Sequence, residues 1–328
     1  MKIVPIYNND LKICDILYND NNEYIIITSQ YTSYDIILKI DNQMYSFNRM
    51  NCPYKHTTVY ICNHNEYYEK IDLIINHKYI INFNVNKYPS FNDEIIMSTC
   101  VKNEDNYIIR WIEYYKLLGV SRFIIYDNNK NDYKIDYYVK SHDTTTNLEK
   151  VLDEYIKNNI VVLVEWPFEY KFQMTQQTHS IHTFKNSKYI GLLDIDEYVN
   201  PQTENINLDI FFNDYMKKNN IDYYNIGGLM ILSKMFHNPD NIDDNGYNFM
   251  NATNSGKILL NSYEKIFVIP KNVFNFSCHR ITNGKEWVIC DYNLIYINHY
   301  FFLNKTDRGR NTLDYTDNSI LNIVKKLV

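Results

Sequence analysis

Apolar and polar residues follow two different patterns along this chain, and the change falls near residue 93. Before it, the segments "EYIIITSQYTSYDIILKI" and "HKYIINFNVNKY" are rich in β-branched and aromatic residues, alternate in part, and are separated by Asn and Asp turns. Such segments are typical of strands. We therefore expect residues 1–92 to form a smaller β-rich domain, in which the sequence shows no candidate chemistry.

From residue 93 to residue 328, predicted strands alternate with predicted helices. The strands are "EIIMSTCV", "SRFIIYDNN", "IVVLVEWP" and "YIGLLDIDEYV", and the helices between them are "DNYIIRWIEYYKLLG", "NLEKVLDEYIKNN" and "QMTQQTHSIHTFKNSK". In the first helix apolar residues recur at helical spacing, with Asn103 or Asp105 as the expected N-cap and Gly119 as the terminator. This order predicts an α/β domain with a mainly parallel sheet and helices on both faces.

Each of these four strands ends in polar residues, namely Lys102-Asn103-Glu104, Asp127-Asn128, Glu165-Trp166 and Asp194-Ile195-Asp196. In open sheets of this kind, ligands bind beyond the carboxyl ends of the strands. We therefore expect all four polar groups to line one edge of the sheet.

The acidic stretch "GLLDIDEYVN" carries the most specific chemistry. If it is extended, Asp194 and Asp196 point to the same side, where two carboxylates repel each other unless a cation neutralises them. Oxygen ligands with open positions suit Mg²⁺ or Mn²⁺ that also holds phosphate. The alternative is a solvated strand end, since a bare DxD motif is common.

Composition narrows the class of protein. The net charge of −6 and the absence of a basic block give no support to a nucleic-acid partner. No apolar run approaches the ~20 residues of a membrane span, and the N-terminus lacks a signal-peptide core, so we expect a soluble, cytoplasmic protein. The 32 tyrosines and eight glycines match the codon bias of an AT-rich genome, such as that of a giant DNA virus or an AT-rich protist.

At this point the sequence resembles a known family. The stretch "VKNEDNYIIRWIEYYKLLGVSRFIIYDNN" is followed in order by "EWP", a Gln-bearing helix, "LLDIDEYVNP", "NIGG", "KIFVIPKNV", "CHR" and "INHYFFLNKTDRGR". This series, over about residues 93–311, is similar to the GT-A fold glycosyltransferases of family 92 and the related DUF23 type. The resemblance implies a GT-A, Rossmann-like sheet and transfer of a sugar from a nucleotide donor, usually a UDP-sugar, to a hydroxyl of a glycan or protein acceptor.

The resemblance also implies roles for particular residues. Donor-binding roles fall to Lys102, Asn103, Glu104, Asp127, Asp194, Gly227, Gly228, Lys305, Arg308 and Arg310. The metal, Mn²⁺ or Mg²⁺, would be held by Asp194, Asp196 and His299. An inverting enzyme, which we expect here, needs a carboxylate base. The candidates are Asp240, Asp243 and Asp244, with Glu264 as a further one, and the sequence does not choose among them.

Several alternatives stay open. A phosphatase of the haloacid dehalogenase type also places DxD after an apolar strand, although Tyr198 stands where that class has Thr or Val. A nicotinamide dehydrogenase is disfavoured because the glycines form no GxGxxG. A non-catalytic glycan-binding or structural protein with this fold is the third alternative, and a homodimer is left open.

Among single residues, His279 and His299 could be core histidines, and "DRGR" could be a solvated turn. Gln176 or Gln177 could be the family's helix glutamine, and His179 and His182 could mimic a metal pair.

Overall fold

The structure is a computed structural model, and it describes residues 1–51, 57–102, 104–129, 147–168, 173–236, 254–259, 264–300 and 315–326. Over these residues the chain is a mixed α/β protein in which strands outnumber helices. Within the described part of the chain, no helix is both long enough and apolar enough to cross a membrane.

The N-terminal region is built from ten strands. They are β1 (Lys2–Ile3), β2 (Ile13–Asn19), β3 (Glu23–Thr28), β4 (Ile36–Ile40), β5 (Gln43–Ser46), β6 (Asn48–Asn51), β7 (Thr58–Asn63), β8 (Lys70–Ile75), β9 (Tyr79–Asn84) and β10 (Asn86–Lys87). Nine of them form two sheets, in the orders β10-β2-β3-β7-β6 and β5-β4-β8-β9. Ile16 and Ile26 of the first sheet share a hydrophobic core with Leu38 and Leu73 of the second, so the two sheets pack on each other.

The rest of the described chain contains fourteen strands and six α-helices. In order they are β11 (Ile95–Val101), α1 (Asp105–Leu117), β12 (Arg122–Asp127), α2 (Leu148–Val151), α3 (Asp153–Lys157), β13 (Val161–Glu165), α4 (Gln173–Thr183), β14 (Tyr189–Leu192), β15 (Glu197–Pro201), α5 (Leu208–Lys218), β16 (Gly228–Ile231), β17 (Ser233–Phe236), β18 (Asn254–Leu259), β19 (Lys265–Val268), β20 (Val273–Ser277), β21 (Arg280–Gly284), β22 (Trp287–Ile289), β23 (Ile295–His299), β24 (Tyr315–Thr316) and α6 (Leu321–Val324).

The central sheet has eight strands in the order β1-β13-β12-β11-β14-β19-β16-β22. From β1 to β14 all neighbours are parallel, as the alternation of strands and helices predicts. Strand β19 is antiparallel to both β14 and β16, so the sheet as a whole is mixed. The N-terminal region contributes β1 to this sheet, which the sequence pattern did not indicate.

The two faces of the central sheet have separate hydrophobic cores. On one face, Phe123 of β12 packs in a core with Trp111 of α1 and with residues of α5. On the other face, Ile124 packs in a core with Ile181 of α4 and with Ile25 of β3. Neighbouring residues of one strand therefore serve opposite cores. Helices lie on both faces, and among the described residues the second face packs against α4, N-terminal strands and the β20–β21 hairpin.

A second five-stranded sheet has the order β15-β23-β17-β18-β24, and β20 pairs with β21 as a hairpin. In this sheet β15 runs antiparallel to β23, with Glu197 directly opposite His299. This pairing brings Glu197, which comes soon after β14 of the central sheet in the chain, beside His299 from a distant part of the sequence.

Two local predictions need correction. The segment 147–159 forms two short helices, α2 and α3, instead of one. The N-cap of α1 is Glu104, not Asn103 or Asp105, and its side chain makes no capping hydrogen bond. Gly119 follows α1 with φ of +88°, a backbone conformation that side chains rarely adopt, so its role as terminator is confirmed.

Candidate functional site

The polar strand ends meet at one edge of the central sheet, as predicted. Val101 lies opposite Asp127, and Asp127 lies opposite Glu165, across the three parallel strands β11, β12 and β13. On the other side of β11, Ser98 pairs with Leu192 of β14, whose chain then continues to Asp194. The carboxyl ends of four neighbouring strands therefore supply one surface.

The environment of Cys100 shows that these side chains converge. Burial raises the pKa of the Cys100 thiol, and nearby carboxylates raise it further. The carboxylates are those of Glu104, Asp194 and Asp127, while the ammonium group of Lys102 acts in the opposite direction. Three of the predicted donor-binding acids thus lie within electrostatic reach of one half-buried cysteine.

The acidic stretch is a turn, not an extended segment. Strand β14 ends at Leu192 and β15 begins at Glu197. Between them the Glu197 backbone N–H donates to the Asp194 carbonyl (3.2 Å), and the Asp194 N–H donates to Glu197 Oε2 (2.8 Å). The prediction that Asp194 and Asp196 lie on an extended segment is therefore wrong. Asp194 keeps 36% of its side chain exposed, whereas Asp196 keeps 6%.

Lys265, the first residue of β19, is the cation that stands beside these acids. Its Nζ lies 2.8 Å from Asp194 Oδ2 and 3.2 Å from Glu197 Oε2, and its side chain is 1% exposed. A buried ammonium needs such partners because desolvation of an isolated charge is costly. The sequence prediction did not identify this lysine.

His299 lies between two of the acids. Its Nε2 is 3.5 Å from Asp196 Oδ2, and its Nδ1 is 3.6 Å from Glu197 Oε1. Ligand atoms of these three buried residues all lie within 4.8 Å of one another, and no other group of this kind occurs among the residues that the structure describes. Asp196 and His299 are thus brought together as predicted for metal ligands. Asp194 is outside the group, with its oxygens on Gln173 and Lys265.

Burial and neighbouring charges shift the pKa values of two groups in this site. Burial raises the pKa of Glu197 to about 7, an effect that Asp194 and Asp196 strengthen and that Lys265 and His299 oppose. Burial alone would lower the pKa of Lys265, but the carboxylates of Asp194 and Glu197 outweigh it and raise that pKa. A positive charge bound beside these carboxylates would lower the pKa of Glu197 and stabilise its ionised form, so the acidic turn favours a cation.

Helix α4 adds one more contact to the acidic turn. Gln173, its first residue, donates from Nε2 to Asp194 Oδ1 (2.9 Å). Gln176 instead donates to Ser98 Oγ (3.0 Å). The glutamine that contacts the site therefore lies three residues before the predicted pair Gln176 and Gln177, at a register that the sequence did not fix.

The glycine pair packs against the chain's own backbone. A Cβ added to Gly227 would come within 2.2 Å of the Lys285 carbonyl oxygen, and one added to Gly228 within 2.5 Å of the Phe267 carbonyl oxygen. A close approach at these positions was expected, and the structure shows that it is an approach to backbone carbonyls of the protein itself. Contact of either glycine with a donor stays a prediction.

The remaining histidines have separate partners. His179 and His182 do not form a metal pair: His179 Nε2 lies 3.0 Å from Asp15 Oδ2, and His182 Nε2 donates to the Phe274 carbonyl (2.8 Å). His279, in the β20–β21 turn, donates from Nδ1 to the Glu264 carbonyl (2.8 Å).

The other predicted residues stay untested. Asn103, Asp240, Asp243, Asp244, Lys305, Arg308 and Arg310 lie outside the described residues. Glu264 is described and buried, with Oε1 at 3.5 Å from Arg280 Nε. The position of the catalytic base and of the phosphate-binding cations therefore stays a prediction.

The sequence model of glycosyltransferase family 92 matches residues 96–326, which is more than half of the chain. This protein therefore belongs to glycosyltransferase family 92. Two alignments to a glycosyltransferase family 92 protein of Ricinus communis are 24% identical over 213 residues and 29% identical over 107 residues.

These alignments cover 63% and 32% of this chain but only 35% and 16% of the castor bean protein, so the chain spans little more than a third of its relative's length. Among solved structures, the type III pullulan hydrolase of Thermococcus kodakarensis is 11% identical, over 65% of this chain and 44% of the other, with a TM-score of 0.16. A TM-score of 0.16 does not indicate a shared fold.

Proposed function

We propose that this protein is a metal-dependent glycosyltransferase that moves a sugar from a nucleotide-sugar donor, with UDP-sugars the expected donors, to a hydroxyl of a glycan or protein. Membership of family 92 supports the reaction class. The observation that supports the chemistry best is the buried group of Asp196, Glu197 and His299, which forms where the turn after the parallel strand β14 meets the antiparallel pair β15 and β23. We further propose the GT-A class of fold, supported by the five parallel strands from β1 to β14.

The donor atoms fit a metal ion. Ligands at ~2.1 Å from one ion stand roughly 3.0–3.5 Å apart, and Asp196 Oδ2 and His299 Nε2 are 3.5 Å apart. Because imidazole joins carboxylate here, the set favours Mn²⁺ over Mg²⁺, which prefers oxygen ligands. The second ring nitrogen of His299 faces Glu197 Oε1 at 3.6 Å, an arrangement in which a carboxylate orients a metal-binding imidazole.

The residues of the chain then have distinct tasks. Asp196 and His299 would hold the ion, and Asp194, the more exposed acid, would meet the ion or the ribose of the donor. The ion would supply Lewis-acid stabilisation of the charge on the departing nucleotide diphosphate. Lys265 and Gln173 fix the Asp194 carboxylate by hydrogen bonds at 2.8 and 2.9 Å, so its orientation is set before a donor arrives.

Two tasks fall to residues outside the described ranges. Lys305, Arg308 and Arg310 would bind the diphosphate. An arginine guanidinium donates two parallel hydrogen bonds to phosphate oxygens, and the lysine ammonium adds a further positive charge. One of Asp240, Asp243 and Asp244 would take the proton from the acceptor hydroxyl in an inverting reaction.

The experiment that tests this function measures the melting temperature with UDP, in Mn²⁺ and in EDTA. A ligand that binds only the folded state raises its stability, so UDP should raise the melting temperature in Mn²⁺ and much less in EDTA. Incubation with a panel of nucleotide sugars should then release the nucleotide diphosphate. Equal stabilisation with and without metal would contradict the proposed metal dependence, and no release from any donor would contradict the transfer reaction.

A further inference from the structure

A second concave site lies in the N-terminal region, on elements that take no part in the acidic site. It is a cleft of about 450 Å³ between the β4–β5 turn and the segment that follows β7. The lining residues that carry recognisable chemistry are Asp41, Gln43, Tyr45, His64, Glu66 and Tyr68. A cleft of this volume is in the range of small-ligand sites.

Aromatic rings form one wall of the cleft. The ring centroids of Tyr45 and His64 are 4.9 Å apart, with the rings nearly perpendicular, and those of His64 and Tyr68 are 5.8 Å apart. All three side chains are half-buried, so each ring is anchored yet keeps surface for a ligand. Rings of this kind pack well against a molecule with an apolar face and a polar rim.

Polar groups converge beside these rings. The Tyr68 hydroxyl donates to Glu66 Oε2 (2.7 Å) and lies 3.4 Å from Asp41 Oδ2, and the Tyr45 hydroxyl donates to Gln43 Oε1. Carboxylates accept hydrogen bonds only, and an amide both donates and accepts. The set therefore matches a ligand that presents many hydroxyl groups.

The cleft is held in shape by the protein. Tyr24, which is fully buried, accepts a hydrogen bond from the Tyr68 N–H (2.7 Å) and donates to the Glu66 carbonyl (3.1 Å). On the other side Asp41 and Asn42 form a two-residue turn with φ of +47° and +63°, the geometry of tight hairpins. Such preorganisation lowers the entropy lost on binding.

The charge of the cleft selects among ligands. Asp41 and Glu66 are acidic, and none of the described residues that line the cleft is a lysine or an arginine. Anionic ligands such as phosphates and uronates are therefore disfavoured by repulsion. The acids do not form a cation site either, because only the Asp196, Glu197 and His299 group meets that description within the described residues.

We propose that this cleft binds a neutral oligosaccharide, whose C–H faces pack on Tyr45, His64 and Tyr68 and whose hydroxyls bond to Asp41, Gln43 and Glu66. The ligand class follows from the cleft alone. The bound oligosaccharide would then be the acceptor of the transfer reaction, and this part of the proposal rests on the proposed function.

The test uses the whole chain of 328 residues in EDTA without nucleotide, so that binding is measured apart from transfer. The probes are immobilised cellotetraose, maltotetraose, mannotetraose and chitotetraose, with tetragalacturonate as the acidic probe, and calorimetry follows for any probe that binds. At least one neutral tetrasaccharide should bind and tetragalacturonate should not. Tyr45→Ala and Tyr68→Ala should each weaken binding at least about fivefold.

The matched control is Tyr79→Ala, since Tyr79 is 63% exposed on the same four-stranded sheet but outside the cleft. It should bind like the parent protein. Absence of binding to every neutral probe, or parent-like binding by folded Tyr45→Ala and Tyr68→Ala, overturns the proposal. Glycan binding, together with no rise in melting temperature in UDP and Mn²⁺, would support the cleft and count against the proposed transfer reaction. A rise in melting temperature in UDP and Mn²⁺ without glycan binding would support the transfer reaction and overturn the proposal for the cleft.

Discussion

Lys265 and Asp194 are 71 positions apart in the sequence, yet their charged groups meet at 2.8 Å, with the lysine side chain 1% exposed. The same ammonium group lies 3.2 Å from Glu197. Lys265 therefore neutralises part of an acidic turn that would otherwise repel itself, and it does so from the strand antiparallel to β14.

Replacing Lys265 tests this role. In Lys265→Met the carboxylate of Glu197 keeps its burial and loses its cation, so we expect a loss of about 3 kcal/mol in the free energy of unfolding. Urea denaturation at neutral pH in EDTA measures it. Lys188→Met is the control, because Lys188 pairs at 2.5 Å with Asp209, whose side chain is 45% exposed, and an ion pair that solvent reaches is worth ~0–1 kcal/mol. Similar losses for the two variants would contradict this view of Lys265.

The second prediction separates the two aspartates. Mn²⁺ should raise the melting temperature of the parent protein, and Asp196→Asn should abolish most of that rise, because Asp196 lies 3.5 Å from His299 in the candidate metal group. Asp194→Asn should retain more of it, since Asp194 is held by Gln173 and Lys265. Thermal melts over a Mn²⁺ titration give the result. A full Mn²⁺ effect in folded Asp196→Asn would exclude it as a ligand.

The third prediction concerns pH. Burial lowers the pKa of His182 to about 3 from its ordinary value of 6.5, the charges of Lys185 and His179 lower it as well, and the Phe274 carbonyl opposes them. As the pH falls below 6.5, the unfolded chain binds a proton at this ring and the folded chain does not until about pH 3. The depressed pKa therefore removes stability progressively between these values.

His182→Gln should flatten that dependence, because glutamine has no proton to gain. Urea unfolding at pH 7.5, 6 and 5 should show the parent protein losing stability faster than the variant. Parallel curves for the two proteins would show that His182 titrates alike in the folded and unfolded states.

The fourth prediction concerns the buried contact between Asp15 and His179. Asp15 Oδ2 accepts from the Tyr88 hydroxyl (2.6 Å) and lies 3.0 Å from His179 Nε2, with neither residue of the pair exposed. Asp15→Asn should cost about 3 kcal/mol, because a buried network loses its charge and one acceptor. Asp35→Asn is the control, since Asp35 pairs with His77 on the surface at 2.6 Å. Chemical denaturation compares them, and equal stability of the two variants would count against the prediction.

The part of the site that follows from the local pattern of apolar and polar residues could be predicted from the sequence. The strands that end at Val101 and Asp127 are short apolar runs followed by polar residues, and parallel pairing brings such ends together. The resemblance to family 92 then implies Asp196 and His299 as metal ligands, and cross-strand pairing of β15 with β23 places them side by side.

The rest depends on contacts that no local pattern encodes. Lys265 opens an apolar strand, and only the antiparallel pairing of β19 with β14 brings it to Asp194. The spacing of His179 and His182 resembles a metal pair, but the helix turns them toward different partners. The sequence predicts an extended acidic stretch because its apolar neighbours have the pattern of a strand. In the structure, the hydrogen bond from the Glu197 N–H to the Asp194 carbonyl closes this stretch into a turn.

Helix α4 has a consequence for how the molecule responds to ligands. It contacts β2 and β3 of the N-terminal region as well as β11 and β20, and its first residue, Gln173, holds Asp194. Local opening of those N-terminal strands would therefore loosen the acidic turn, and the coupling must act equally in the other direction. An ion or nucleotide at Asp194 and Asp196 should slow amide hydrogen exchange in β2 and β3, far along the sequence from any residue that it touches.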